Sequence, residues 1–134
     1  MIDIRLYKEY IIDMLDICIK QNKRKLILYP NGEITSIVKQ MLMEVYHISP
    51  IFTVDNYKYD QKTVFSFEKA EQMTEEDMYY LVCSDNDLYY DDIRNTIKMH
   101  VKDEQIIDLF PNNTKEIAYR LLKEIDEEIE NMEI

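Results

Sequence analysis

The chain has 134 residues, 46% of them hydrophobic, which is the length of one domain with enough apolar side chain for a packed core. Its formal net charge of −11 disfavours nucleic acid and anionic membrane surfaces as partners, because both are negatively charged. The two cysteines form no C-x-x-C pair, no apolar run has the length of a membrane span, and the first ten residues do not have the pattern of a signal peptide. We therefore expect a cytoplasmic protein with a single domain over residues 1–134.

The first third of the sequence predicts a helix, a buried strand and a second helix. Apolar residues recur at helical spacing over residues 3–20, with Asp3 as the N-cap. Residues 26–28 are all apolar, as in a strand covered on both faces, and Pro30 ends the strand because it cannot donate to a sheet. The turn that follows holds Asn31 and the only glycine, Gly32, and an apolar stripe over residues 34–45 predicts the second helix.

The rest of the sequence predicts four more strands and two more helices. The strands are expected at residues 51–54, 63–67, 79–83 and 105–110. The acidic stretch 68–77 is expected to be a loop with a helical turn, a weaker helix is expected over 90–101, and a last helix capped by Asn113 or Thr114 is expected to reach Met132. Strands that alternate with helices predict right-handed crossovers and a five-stranded parallel sheet with helices on both faces. If the two halves wind outward from the first strand, the strand order is 3-2-1-4-5.

This strand order predicts a ligand crevice where the first and fourth strands end, next to the turn that holds Gly32. In the frame G-x-G-x-x-G, residues 30–35 keep only Gly32, because Pro30 has no N–H and Thr35 adds bulk. Asp55 ends the second strand 23 positions after Gly32, close to the spacing of about 20 at which a carboxylate binds ribose. In a purely structural interpretation, Gly32 only begins a helix and Asp55 only caps a turn. This interpretation is favoured because only one of the three glycines of the motif is present.

The sequence also resembles a known family over most of its length. The residues that carry the resemblance are KLILYPNGEITSIVKQMLMEVYHISPIFTVDN, TVFSFEKAEQM, YYLVCSDNDLYYDDIRNTI and IIDLF. They are similar to Rossmann-like domains attached to bacterial surface-polysaccharide glycosyltransferases, sugar-modifying enzymes and related methyltransferases. The resemblance implies a three-layer Rossmann-like α/β fold, with Asn31 and Gly32 at the phosphate turn, Asp55 at the ribose and Ser84 in the switch-point loop. These four are the candidate cofactor-binding residues.

No pattern in the sequence indicates a catalytic or a metal site. His47 and His100 have no ligand spacing around them, and Cys83 at the end of the fourth strand has no neighbouring base. The aspartates after that strand match no calcium loop and are interpreted as a solvated loop: Asp85, Asp87, Asp91 and Asp92.

Two functions of different classes follow from these observations. The first is a noncatalytic or regulatory companion domain in bacterial surface-glycan metabolism, with a degenerate nucleotide turn, that acts on a protein partner or as a homodimer through its terminal helices. The second is a binder of a nucleotide-type ligand, such as NAD(P), a nucleotide sugar or S-adenosylmethionine, and a fragment of a sugar-modifying enzyme or methyltransferase. The missing glycines favour the first, and the sequence leaves enzymatic activity and the identity of any cofactor open.

Overall fold

The computed structural model describes residues 4–84 and 86–110, with the backbone alone for residues 4–7 and 87. The helices are α1 (Ile4–Lys20), α2 (Glu33–Met41), α3 (Phe67–Met73) and α4 (Asp87–Lys98), and the strands are β1 (Leu26–Tyr29), β2 (Phe52–Val54), β3 (Val64–Phe65), β4 (Tyr79–Val82) and β5 (Ile106–Asp108). The predicted last helix and the predicted N-cap Asp3 lie outside the described residues.

The strands form one parallel sheet of order β3-β2-β1-β4-β5, which confirms the predicted α/β fold and strand order. β1 is central because its side chains are apolar and can be covered on both faces: Leu26, Ile27 and Leu28 are fully buried. Ile27 lies opposite Phe52 of β2 and Tyr80 of β4. The carboxyl ends of β1, β2 and β4 therefore meet at one edge of the sheet.

The helices cover both faces of the sheet. Phe67 of α3 packs on Tyr29 and Tyr80, with ring centroids 5.8 and 5.9 Å apart. Thr35 of α2 lies against the thiol of Cys83 on the opposite face. Because neighbouring side chains of a strand alternate between faces, α2 and α3 must cover different sides of the sheet.

Several elements differ from their predicted extents. α4 begins at Asp87, so Asp87, Asp91 and Asp92 lie on a helix and not in the predicted solvated loop, and β5 is shorter than the predicted strand 105–110.

Two further differences have a local cause. The second helix ends as an α-helix at Met41 and continues as a π-helical turn over Leu42–Tyr46, and this wider turn places the Tyr46 hydroxyl on Asp16 of α1. The third strand is short because the Ser66 hydroxyl caps α3 by accepting from Lys69 N–H at 3.4 Å, so Phe67 begins a helix. The acidic stretch predicted to be mostly loop therefore begins with two turns of helix.

Within the described part of the chain, no helix combines the length and the apolar character needed to cross a membrane.

Candidate functional site

A pocket of about 610 Å³ lies where β1, β2 and β4 end, between the strand-end turns and α4. Parallel α/β sheets bind ligands at this position, because the strand order changes direction there and leaves a crevice. The pocket is lined by Tyr29, Pro30, Asp55, Asn56, Tyr57, Ser84, Tyr89, Asp92, Ile93, Asn95, Thr96 and Met99. Two of the four candidate residues, Asp55 and Ser84, therefore share one pocket.

The carboxylate of Asp55 joins the turn after β2 to the turn after β1. One oxygen, Oδ1, accepts from the backbone N–H groups of Tyr57 at 2.7 Å and Lys58 at 3.0 Å. The other oxygen, Oδ2, accepts from the N–H of Asn31 at 3.1 Å. A carboxylate has about four acceptor positions, so these three bonds leave about one free on a side chain that is 8% exposed.

The turn after β1 places Asn31 and Gly32 beside the pocket rather than among its lining residues. Gly32 is the N-cap of α2 with a φ of −131°, which any residue adopts, and a Cβ at this position would meet nothing within 4 Å. The first turn of α2 has no side-chain cap at Gly32. Thr35 is fully buried and donates its hydroxyl to the carbonyl of Pro30, which holds the turn against the helix.

The floor of the pocket holds two buried hydroxyl groups, one at the end of β1 and one in the turn after β4. Tyr29 is 5% exposed, and its hydroxyl accepts from the Asn56 amide at 3.0 Å. That amide is oriented because its oxygen accepts from Phe67 N–H at 2.8 Å. Ser84 is 8% exposed, and its hydroxyl accepts from Asn86 N–H at 3.2 Å. Among the residues that the structure describes, none accepts a hydrogen bond from either hydroxyl.

One wall of the pocket comes from α4, and sequence analysis missed it. The wall residues Asp92, Asn95, Thr96 and Met99 are spaced i, i+3, i+4 and i+7, which places them on one helix face. Thr96 donates its hydroxyl to the carbonyl of Asp92 at 2.8 Å. The sequence shows this spacing, but the apolar stripe of the same helix predicts only the buried face, and the fold alone brings the opposite face to the crevice.

The pocket carries negative charge. Its described lining includes the carboxylates of Asp55 and Asp92 and contains no lysine, arginine or histidine. Burial, together with the nearby negative charge of Asp55, raises the pKa of Tyr29 to about 12. The Tyr29 phenol therefore stays protonated at neutral pH and is a hydrogen-bond donor rather than a base.

Cys83 lies behind the pocket and is not among its lining residues. The side chain is 2% exposed, and its thiol contacts the carbonyl of Leu81 at 3.4 Å. Burial raises the pKa of the Cys83 thiol to about 12, so the thiolate that a nucleophile requires is not formed at neutral pH.

Comparisons of the chain with protein-family models, with characterised proteins and with solved structures gave no significant match. The resemblance stated above therefore stays a prediction from the quoted residues.

Proposed function

We propose that this chain is a noncatalytic or regulatory Rossmann-like companion domain whose β1 turn does not hold a nucleotide phosphate and which acts through contacts with proteins. The setting, bacterial surface-glycan metabolism, is taken from the sequence resemblance. The observation that carries the proposal is the 3.1 Å hydrogen bond from Asn31 N–H to the Asp55 carboxylate. In a functional nucleotide turn, free N–H groups are directed at a phosphate. In this chain the N–H of Asn31 is used by a carboxylate of the protein itself.

The electrostatics of the turn support the same conclusion. A phosphate near 4 Å from the Asp55 carboxylate would be repelled by about 1 kcal/mol in water and by about 4 kcal/mol at the effective dielectric of a protein surface. Pro30 offers no N–H to offset this repulsion. A ribose diol would need two acceptor positions on Asp55, and about one is free while the three backbone bonds remain in place.

The pocket also offers little for catalysis. A general base acts best when its pKa is near the working pH, whereas the Tyr29 pKa of about 12 is far above neutrality. The thiol of Cys83 is buried and protonated. These properties favour a binding or regulatory role over an enzymatic one.

Contacts with proteins are supported by apolar side chains on the surface of α1 and the π-helical turn. Ile17, Met43 and Val45 are 49%, 49% and 47% exposed. Contiguous exposed apolar surface marks protein-binding sites, and these side chains lie on two elements that are in contact through Tyr46 and Asp16. Light scattering of the wild type and of Met43→Glu tests the homodimer, which we expect the variant to weaken.

Thermal denaturation with NAD⁺, NADP⁺, UDP-glucose and S-adenosylmethionine tests whether the protein binds a nucleotide-type ligand. We expect no rise in melting temperature. A ligand present at about 100 times its Kd would stabilise the native state by about 2.7 kcal/mol, which is a rise of roughly 10 °C for a chain of this size.

The second candidate function, binding of a nucleotide-type ligand, is favoured by the position and the volume of the pocket, about 610 Å³ at the switch point. A concentration-dependent rise that is lost in Asp55→Ala and kept in Asp91→Asn would establish this function and overturn the first. Asp91 is the matched control because its carboxylate is exposed and is not part of the pocket lining.

A further inference from the structure

We propose that the pocket between the strand ends and α4 binds an uncharged ring compound that carries hydroxyl groups and no phosphate. Free sugars and nucleosides share this chemistry. The inference goes beyond the proposed function, because a domain that acts through protein contacts does not need a small ligand. It is carried by the hydroxyl groups on the floor, the charge of the lining and the aromatic side chains at the opening.

The floor of the pocket is built to donate hydrogen bonds. The hydroxyls of Tyr29 and Ser84 each accept one bond from the protein, from the Asn56 amide and from Asn86 N–H. Neither proton has an acceptor among the described residues, although both side chains are more than nine-tenths buried. Each hydroxyl oxygen therefore has one protein partner and keeps its proton available to a ligand, so an acceptor oxygen or nitrogen is the group that this floor fits.

The walls provide acceptors for the other side of such a ligand. Asp92 on α4 is exposed toward solvent, and Asp55 has about one acceptor position left after its three backbone bonds. Asn95 and Thr96 add an amide and a hydroxyl to the same wall. One hydroxyl group of a sugar or ribose can donate to the remaining position of Asp55 and another to Asp92, while a ring or base acceptor faces the floor.

The charge of the pocket selects against phosphate. Two carboxylates line it, and no basic side chain of the described lining balances them. The chain as a whole carries a net charge of −11, so the surrounding field has the same sign. An unphosphorylated ligand avoids this repulsion, whereas a sugar phosphate or a nucleotide does not.

Aromatic and apolar side chains at the opening fit the flat side of a ring. Tyr57 and Tyr89 line the pocket with 90% and 60% of their surface exposed, and Met99, the C-cap of α4, lines it with 80% exposed. Exposed tyrosines offer an apolar ring face together with a polar tip, which suits a ligand that has apolar faces and hydroxyl edges.

The experiment compares matched pairs of ligands that differ only by a phosphate. Ligand-observed NMR titrations of the full chain use adenosine against AMP, uridine against UMP, and glucose and galactose against their 1-phosphates. We expect at least one uncharged member to bind with a Kd below about 10 mM, and its phosphorylated partner to bind about ten-fold more weakly at low salt. The difference in affinity between the uncharged ligand and its phosphorylated partner should become smaller as added salt screens the carboxylates. Binding of the nucleosides alone or of the sugars alone identifies the source of the ligand.

Two variants test the hydroxyl groups of the floor, and a third serves as their control. Tyr29→Phe keeps the ring contact with Phe67, and Ser84→Ala removes the second hydroxyl; each should weaken binding of the uncharged ligand by about three- to ten-fold, the effect of one neutral hydrogen bond. Tyr59→Phe is the matched control, because Tyr59 is 50% exposed and lies outside the pocket lining, and it should leave affinity unchanged.

Three results would overturn the inference: no binding by any uncharged member, equal or tighter binding of the phosphorylated members, or equal affinity of Tyr29→Phe, Ser84→Ala and the wild type. The first and third leave the proposed function standing. Tight binding of a nucleotide would remove both proposals, so their failures can be told apart.

Discussion

Replacing Asp55 with alanine should destabilise the protein, because this carboxylate is the acceptor that joins the turns after β1 and β2. It accepts from the N–H groups of Asn31, Tyr57 and Lys58 at 3.1, 2.7 and 3.0 Å. Each hydrogen bond to a charged group contributes about 1.5–3 kcal/mol. Tyr57 and Lys58 are exposed, so water can replace the carboxylate there, and the bond to the half-buried Asn31 dominates the loss. We expect Asp55→Ala to lower the free energy of unfolding by about 2–4 kcal/mol.

A second variant separates the two halves of this bridge. Asp55→Asn keeps an oxygen for Tyr57 and Lys58 but turns an amide NH₂ toward the N–H of Asn31, so that two donors face each other. We expect Asp55→Asn to lower the free energy of unfolding by about 1–2 kcal/mol, so its stability should lie between that of the wild type and that of Asp55→Ala. Asp91→Asn removes one exposed charge without a bridge and should change stability by less than about 0.5 kcal/mol.

Urea denaturation followed by circular dichroism measures all three variants, with the change in midpoint read at unchanged m-value. If Asp55→Ala were as stable as Asp91→Asn, the carboxylate would not hold the turns together. Asp55→Asn with wild-type stability would show that the bond from Asn31 contributes nothing. Either result would also remove the main support for a turn that is closed to phosphate.

Three further predictions concern other residues. Gly32→Ser should raise the free energy of unfolding by about 0.5–1 kcal/mol in the same urea assay, because serine caps α2 and restricts the unfolded chain; a loss would show that the space above Gly32 is not open. Tyr90→Phe removes the 2.7 Å bond to Asp108 and should cost about 1–2 kcal/mol, whereas the exposed Tyr89→Phe should cost almost nothing. At pH 8 a thiol reagent should label Cys83 only after unfolding, as followed by peptide mapping. Burial raises the pKa of the Cys83 thiol from 9.0 to about 12, so the folded state favours the protonated thiol. The stabilisation from this preference should therefore be complete below pH 9 and should be lost as the pH rises toward 12.

The four candidate residues show how far sequence reasoning reached the site. Asp55 and Ser84 were placed at the crevice because each follows a predicted strand, and the carboxyl ends of parallel strands share an edge. Their positions follow from strand order alone. The bonds that Asp55 accepts from Tyr57 and Lys58 are local and agree with the interpretation that Asp55 caps a turn. The bond from Asn31 could not be predicted, because it depends on the distance between two turns that lie 24 positions apart in the chain. Asn31 and Gly32 remain candidates for the phosphate turn, beside the pocket and outside its lining.

The sequence by itself determined the sheet. The apolar run of β1 favours a central strand, Pro30 ends it, and alternating strands and helices require parallel crossovers of one hand. The order 3-2-1-4-5 follows from these patterns on the condition that the two halves of the sheet wind outward from β1, as they do in the structure. Only the tertiary structure decided what the switch point offers a ligand. The Tyr29 and Ser84 hydroxyls and the polar face of α4 line one pocket because α4 packs against β4 and β5, and the chemistry of a pocket depends on groups that are distant in the chain.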